Sequence, residues 1–208
     1  MPARARLAVL LAASFIVAAV FFASLGGRDD GSPSGAAQAA QGAETGFNGA
    51  VRPASLPPVK IDMVDEQGKR VTDADLTGKV SVVTFLYTTC EDTCPLTAQQ
   101  IRGALDELGH DVPVYAVATD PPRDTPALAE RFLREQRMVG RMRWLLGPRP
   151  QLAAQWKQFG IQRQTDELEH SASTVLIDKR GRQRVSFPAN QLIPEQLAQD
   201  IALLERES

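Results

Sequence analysis

Cys90 and Cys94 stand in Thr88-Thr89-Cys90-Glu91-Asp92-Thr93-Cys94-Pro95 and are the only two cysteines of the chain. In an exported protein two cysteines are by default a structural disulfide. A pair this close is a weak staple, because closing so short a loop removes little entropy from the unfolded chain. A chemical site explains it better. As thiolates the two sulfurs would hold a soft metal ion or exchange disulfides with a partner. The common redox spacing has two intervening residues. The wider spacing here still permits a disulfide, and it leaves room for both sulfurs to face one metal.

Histidine is also scarce, with two in the chain. His110 lies in Gly109-His110-Asp111, a turn ahead of a strand, and reads as a solvated loop residue. His170, in Leu168-Glu169-His170-Ser171-Ala172-Ser173, would be unremarkable alone. Its meaning depends on what lies beside it.

The elements that would position these residues follow from the pattern. Lys60-Ile61-Asp62-Met63-Val64 alternates and precedes Asp65-Glu66-Gln67-Gly68 and Arg70-Val71, a hairpin. Val80 to Tyr87 is a β-branched and aromatic run, as in a buried central strand. Pro95 to Leu108 repeats apolar residues at helical spacing. Val112 to Ala118 is a second buried strand. Thr125 as N-cap with Pro126 behind it starts a helix to about Arg137. Met142 to Leu146 reads as a strand and Pro150 to Phe159 as a helix. Ser173 to Asp178 and Gln183 to Phe187 flank Lys179-Arg180-Gly181-Arg182, a hairpin signal, and Pro194 to Glu207 closes as an amphipathic helix.

After the first hairpin the order is β-α-β-α-β-α-β-β-α. Strand–helix alternation implies a mostly parallel sheet, with the last hairpin as an antiparallel edge. This is an α/β, thioredoxin-like arrangement with an N-terminal β-hairpin extension. It puts Cys90 in the loop after the first central strand and Cys94 at the start of the next helix, where free N–H groups and the helix dipole lower a thiol's pKa. In that topology the loop before the terminal hairpin, with His170, lies beside the same helix start. Two thiolates and an imidazole suit Cu(I), and Zn(II) if a fourth ligand appears; the imidazole also helps hold Cu(II).

Asp120 ends the strand next to the cysteine strand and is a candidate to support the site from behind its ligands. Asp124 reads as a helix-start acid and Asp92 as an acid near a helix N-terminus. Trp144 and Trp156 read as core or edge packing. Arg131, Arg134, Arg137, Arg141 and Arg143 read as a solvated face in preference to a docking patch.

The totals set the frame. The 208 residues allow one domain plus an accessory segment. A net charge of -2 argues against a nucleic-acid binder, which usually carries a dense basic face. Leu7 to Leu25 carries no charge and as a helix would span roughly 28 Å, close to the hydrocarbon thickness of a bilayer. Arg4 and Arg6 before it predict a cytoplasmic N-terminus and an exported domain. A cleaved signal peptide is the rival, but its apolar core would be shorter and no good cleavage site follows. The expected organisation is a transmembrane anchor over 1–25, a flexible tether over 26–54 rich in Gly, Ala, Ser and Gln, and the folded domain over 55–208.

Three separated segments carry a resemblance. Cys90-Glu91-Asp92-Thr93-Cys94-Pro95, preceded by Phe85-Leu86-Tyr87-Thr88, resembles the cysteine motif of the Sco/SenC family. Asp120-Pro121-Pro122-Arg123-Asp124-Thr125-Pro126 is similar to its Asp-Pro-x-Arg-Asp-Thr-Pro segment. His170-Ser171-Ala172, followed by Leu176-Ile177-Asp178 and Gly181, is similar to its histidine segment. Glu91 stands where proline is common and Glu169 where aspartate often precedes the histidine; neither change removes a ligand. The resemblance spans roughly Leu56 to Leu204. It implies a copper chaperone for the binuclear copper centre of cytochrome c oxidase, with Cys90, Cys94 and His170 holding Cu(I), Cu(II) or both. The implied partners are the copper-bearing subunit of that oxidase or another copper chaperone. The implied location is a bacterial-type inner membrane, crossed once, with the domain in the periplasm. Some members are thiol-disulfide reductases or redox signallers, so an oxidoreductase acting on partner cysteines is the alternative. A peroxidase of the same fold is a weaker option.

Overall fold

The computed structural model describes residues 46–161 and 173–207. The expected anchor over 1–25 and His170 lie outside the described residues. Among the described residues, no helix is long and apolar enough to cross a membrane.

Strands β1 (Ala50–Val51), β2 (Asp62–Val64) and β3 (Arg70–Thr72) come first, and a 3-10 turn, Asp73–Leu76, follows β3. Then come β4 (Ser81–Leu86), α1 (Thr93–Leu108), β5 (Val114–Ala118), α2 (Pro126–Glu135), β6 (Arg143–Leu145) and α3 (Arg149–Phe159). Strands β7 (Ser173–Ile177) and β8 (Gln183–Pro188), a second 3-10 turn at Ala189–Gln191, and α4 (Pro194–Arg206) complete the described chain. The main sheet has the order β1-β8-β7-β4-β5-β6, and β2 pairs with β3 in a separate hairpin. Strands β4, β5 and β6 run parallel, while β7, β8 and β1 are antiparallel to their neighbours.

Every residue of β4 is buried, which is why its sequence is rich in β-branched and aromatic residues on both faces instead of alternating with charged ones. Phe85 points to the face opposite Thr84 and meets the Phe159 ring of α3 edge-on, with centroids 5.2 Å apart. The two parallel crossovers run the same way along the sheet, so their right-handedness puts α1 and α2 on one face. The amide of Gln99 donates to the Gln136 side chain across 3.0 Å and joins them. Helix α4 packs along α1, with Gly103 so close to Pro194 that a Cβ there would lie 3.2 Å from its ring. Thr125 caps α2 as expected, its hydroxyl accepting from Leu128 N at 3.3 Å with Pro126 in the first turn; such a cap contributes about 1 kcal/mol.

The stretch expected as tether does not run loose to residue 54. It is described from Gly46, and from Phe47 onward it belongs to the domain. Phe47 is buried, and β1 pairs with β8 through Ala50–Ser186 and Val51–Val185. The terminal hairpin is therefore covered and is not the sheet edge. The cause is Asp200 in α4, fully buried, whose carboxylate accepts from the backbone amides of Asn48 and Gly49.

Candidate metal centre

The cysteine loop leaves the C-terminal end of β4, beside the end of β5. Thr119 N donates to Leu86 O at 2.9 Å, which keeps the two strand ends together past the last ladder pair. Cys90 N donates to Tyr87 O at 3.3 Å and closes a turn. The chain then enters α1, whose N-cap residue, Asp92, makes no side-chain cap bond. The cap is supplied by sulfur: Cys94 N, in the first turn, donates to Cys90 Sγ across 3.2 Å. An acceptor at that position meets both an unpaired helix N–H and the positive end of the dipole.

The two sulfurs are chemically unequal. Cys90 is half-buried and Cys94 fully buried, and both are free thiols. The Cys94 side chain donates to Cys90 and lowers the Cys90 pKa to about 5; the Cys94 amide, the Tyr87 hydroxyl and the Asp92 amide add to this, and burial opposes it. The Cys90 thiolate and burial together push the Cys94 pKa far up. Burial, then the hydrogen bond to Cys90, pushes the Tyr87 hydroxyl up as well. Both shifts favour the thiolate at the partly accessible Cys90 and the protonated thiol at the buried Cys94.

The structure places Cys90 Sγ 3.2 Å from Cys94 N. Asp120 is on the rim, where its carboxylate pairs with Arg123. The carboxylate that reaches the cysteine loop is Asp124. It is buried, and its Oδ1 accepts from Thr88 N at 2.7 Å and Thr88 Oγ1 at 2.8 Å, while Oδ2 accepts from Asp120 N at 2.9 Å. Burial raises the Asp124 pKa against these bonds. From sequence, Asp124 is weighed as metal-linked but reads better as a helix-start acid, and Tyr87 is given no role; nearness in chain to Asp120 and Cys90 is the available signal.

The remaining expectations resolve simply. His110 is half-exposed and pairs with Glu205 at 3.0 Å, which raises its pKa. Four of the five arginines are paired: Arg131 with Glu135, Arg134 with Glu130, Arg141 with Asp106 and Asp111, and Arg143 with Asp65. The face is largely self-neutralised, as a solvated surface would be. Trp144 and Trp156 are both buried, and Trp156 Nε1 donates to Ala118 O at 3.0 Å.

Fold and site together define a thioredoxin-like protein with a reduced cysteine pair at the start of its first long helix. Residues 59–205 match the SCO1/SenC family model, and the chain belongs to that family. It is 33% identical over 130 residues to Protein SenC of Rhodobacter capsulatus, a match covering 57% of each chain. The chain thus spans little more than half the length of that relative. Among solved structures it resembles Bradyrhizobium japonicum ScoI with copper bound, at a TM-score of 0.59 and 27% identity, over 71% of this chain and 98% of that one. It also shares the fold of BsSco, described as a member of the Sco family of cytochrome c oxidase assembly proteins, in which a disulfide switch was identified. There the TM-score is 0.64 at 20% identity, over 76% of this chain and 99% of that one.

Proposed function

We propose that this protein binds copper through Cys90, Cys94 and His170 and delivers it to the binuclear copper centre of cytochrome c oxidase during assembly. One observation carries the reading: Cys90 Sγ, in the loop before α1, lies within hydrogen-bond distance of Cys94 N in the helix's first turn, and both cysteines are free of any disulfide. The donor set fits the metal, since two adjacent sulfurs on a rigid helix start suit soft Cu(I). Cys90, the more accessible sulfur and the one whose pKa is lowered, would meet the ion first. Cys94 would release its proton as the second sulfur coordinates, so uptake liberates protons.

Support for His170 comes from register. Strand β7 pairs antiparallel with β4, Thr174 opposite Thr84, so the chain enters β7 at the end of β4 from which the cysteine loop departs. The span from His170 to Ser173 is at most about 10 Å of extended chain. The recipient would be the copper-bearing subunit of the oxidase or another copper chaperone. The uncharged run Leu7 to Leu25 behind Arg4 and Arg6 supports a single-pass anchor in a bacterial-type inner membrane, with a cytoplasmic N-terminus and a periplasmic domain.

A thiol-disulfide oxidoreductase is the second reading, favoured by the asymmetry of the pair: a partly accessible low-pKa thiolate beside a buried thiol is the arrangement of an attacking and a resolving cysteine. Copper stoichiometry on the reduced protein and its His170→Ala variant separates the two. One tightly held copper per chain, weakened in the variant, supports delivery. No stable copper, with Cys90 and Cys94 cycling as a disulfide, overturns it in favour of the reductase.

A further inference from the structure

We infer that Asp124 is a positioning residue for the cysteine pair, tying the Thr88–Cys90 segment to the loop between β5 and α2 so that both sulfurs stay aimed at one point. Its copper consequence rests on the function proposed above; its geometric consequence does not.

An acid just before a helix is ordinarily there to cap it. Asp124 is not used that way, because Thr125 holds the cap of α2. The carboxylate of Asp124 is instead turned away from its own helix and buried. It accepts two bonds from Thr88, two residues before Cys90, and one from the backbone amide of Asp120 in its own turn.

The mount is rigid. Arg123 N and Asp124 N both donate to Asp120 O, at 2.9 and 2.8 Å, so residues 120–124 form a closed turn. On the sheet side the β4–β5 ladder ends at Leu86–Ala118 and is extended one step by Thr119 N to Leu86 O. The Asp124–Thr88 bridge extends it once more, with a side chain replacing a strand. Beyond that bridge lies only the Tyr87–Cys90 turn, then the sulfur. Without Asp124, Thr88 N and Oγ1 would lose their acceptor, and the loop carrying Cys90 would be held at its far end alone. A ligand on a loop needs such support to keep its geometry through metal arrival and departure.

The test compares Asp124→Asn, Thr88→Val and the conservative Thr88→Ser with wild type in the full chain. Three quantities are read: Cu(I) affinity by chelator competition, the equilibrium constant of the Cys90–Cys94 disulfide with glutathione, and amide hydrogen exchange at Thr88 and Asp120. Asparagine places an NH2 donor against an N–H or O–H donor and must break one bond. Copper affinity is expected to fall about tenfold in Asp124→Asn and by less in Thr88→Val, with Thr88→Ser at the wild-type value. The glutathione constant should shift in the same order, and the Thr88 or Asp120 amide should exchange faster. Wild-type copper affinity and glutathione constant in both Asp124→Asn and Thr88→Val would overturn the inference. If wild type holds no copper, the proposed function fails, while the glutathione constant and the amide exchange still decide for or against Asp124. If Asp124→Asn does not fold, Thr88→Val carries the test.

Discussion

The backbone amide of Cys94 donates to the sulfur of Cys90 across 3.2 Å, so one cysteine caps the helix that the other begins. The Cys94 thiol, the larger contributor, and this amide together place the Cys90 pKa at about 5, and the same thiol–thiolate pairing drives that of Cys94 upward. Alkylation of the reduced protein with iodoacetamide at pH 6 should therefore modify Cys90 and spare Cys94, with a rate midpoint near pH 5 for Cys90. In Cys94→Ala the largest cause is removed and the midpoint should move up toward the ordinary thiol value. Equal labelling of both cysteines at pH 6 would contradict the assignment of roles.

The same shift makes stability depend on pH with a definite sign. The folded-state pKa of Cys90, about 5, lies below the ordinary thiol value of about 8.5, so between them the unfolded chain binds the extra proton. Stability from this group is complete above the unfolded value and is lost as pH falls through about 5. Cys94, shifted upward, subtracts stability above the ordinary thiol value. Urea midpoints of the reduced protein minus those of Cys90→Ser/Cys94→Ser should therefore grow from pH 4.5 to 8. The upward-shifted carboxyl groups of Asp124 and Asp200 largely cancel in that difference. A flat difference would count against a native Cys90 thiolate.

What could be read from sequence was what depends on local pattern. Strand β4 was legible because burial on both faces favours a dense β-branched and aromatic run, and α2 because Thr125 and Pro126 each have one favourable place at a helix start. The cysteine spacing was legible as chemistry because it makes so poor a staple. Strand β1 was not: Ala50–Val51 is too short to show a period, and its anchor Asp200 is 152 positions from Asn48. Which acid reaches the cysteine loop is hidden from sequence for a related reason. Asp120 and Asp124 flank the same turn, and sequence does not show which carboxylate turns inward. Arg123 takes Asp120 on the rim, leaving Asp124 to the loop.

The β1 latch has its own test. A Cβ on Gly49 would lie 2.5 Å from Val185 Cγ1 and 2.8 Å from the Phe187 ring, both on β8. Those are core side chains on a paired strand, so they have little room to yield. Gly49→Ala should destabilise the domain by about 1–3 kcal/mol, the usual cost of overpacking, measured by urea denaturation. Asp200→Asn should weaken the same latch, and hydrogen exchange at Asn48 and Gly49 should report it. An unchanged urea midpoint in Gly49→Ala would mean that β1 does not stay docked.

Tyr87 offers the most selective probe of the thiolate. Its ring packs against the core while its hydroxyl donates to Cys90, and burial followed by that bond raises its own pKa. Tyr87→Phe keeps the ring and removes the donor, leaving Cys90 with the Cys94 side chain and the Cys94 and Asp92 amides. A hydrogen bond to a charged acceptor contributes about 1.5–3 kcal/mol, so the Cys90 pKa should rise by about one to two pH units yet stay below the ordinary thiol value. The alkylation rate at pH 5.5 should fall several-fold, and the rate at pH 9, where the thiolate is fully formed in both proteins, should not. A drop at both pH values would mean that the variant blocks access to the sulfur, and no drop at either would remove Tyr87 from the set of groups that hold the thiolate.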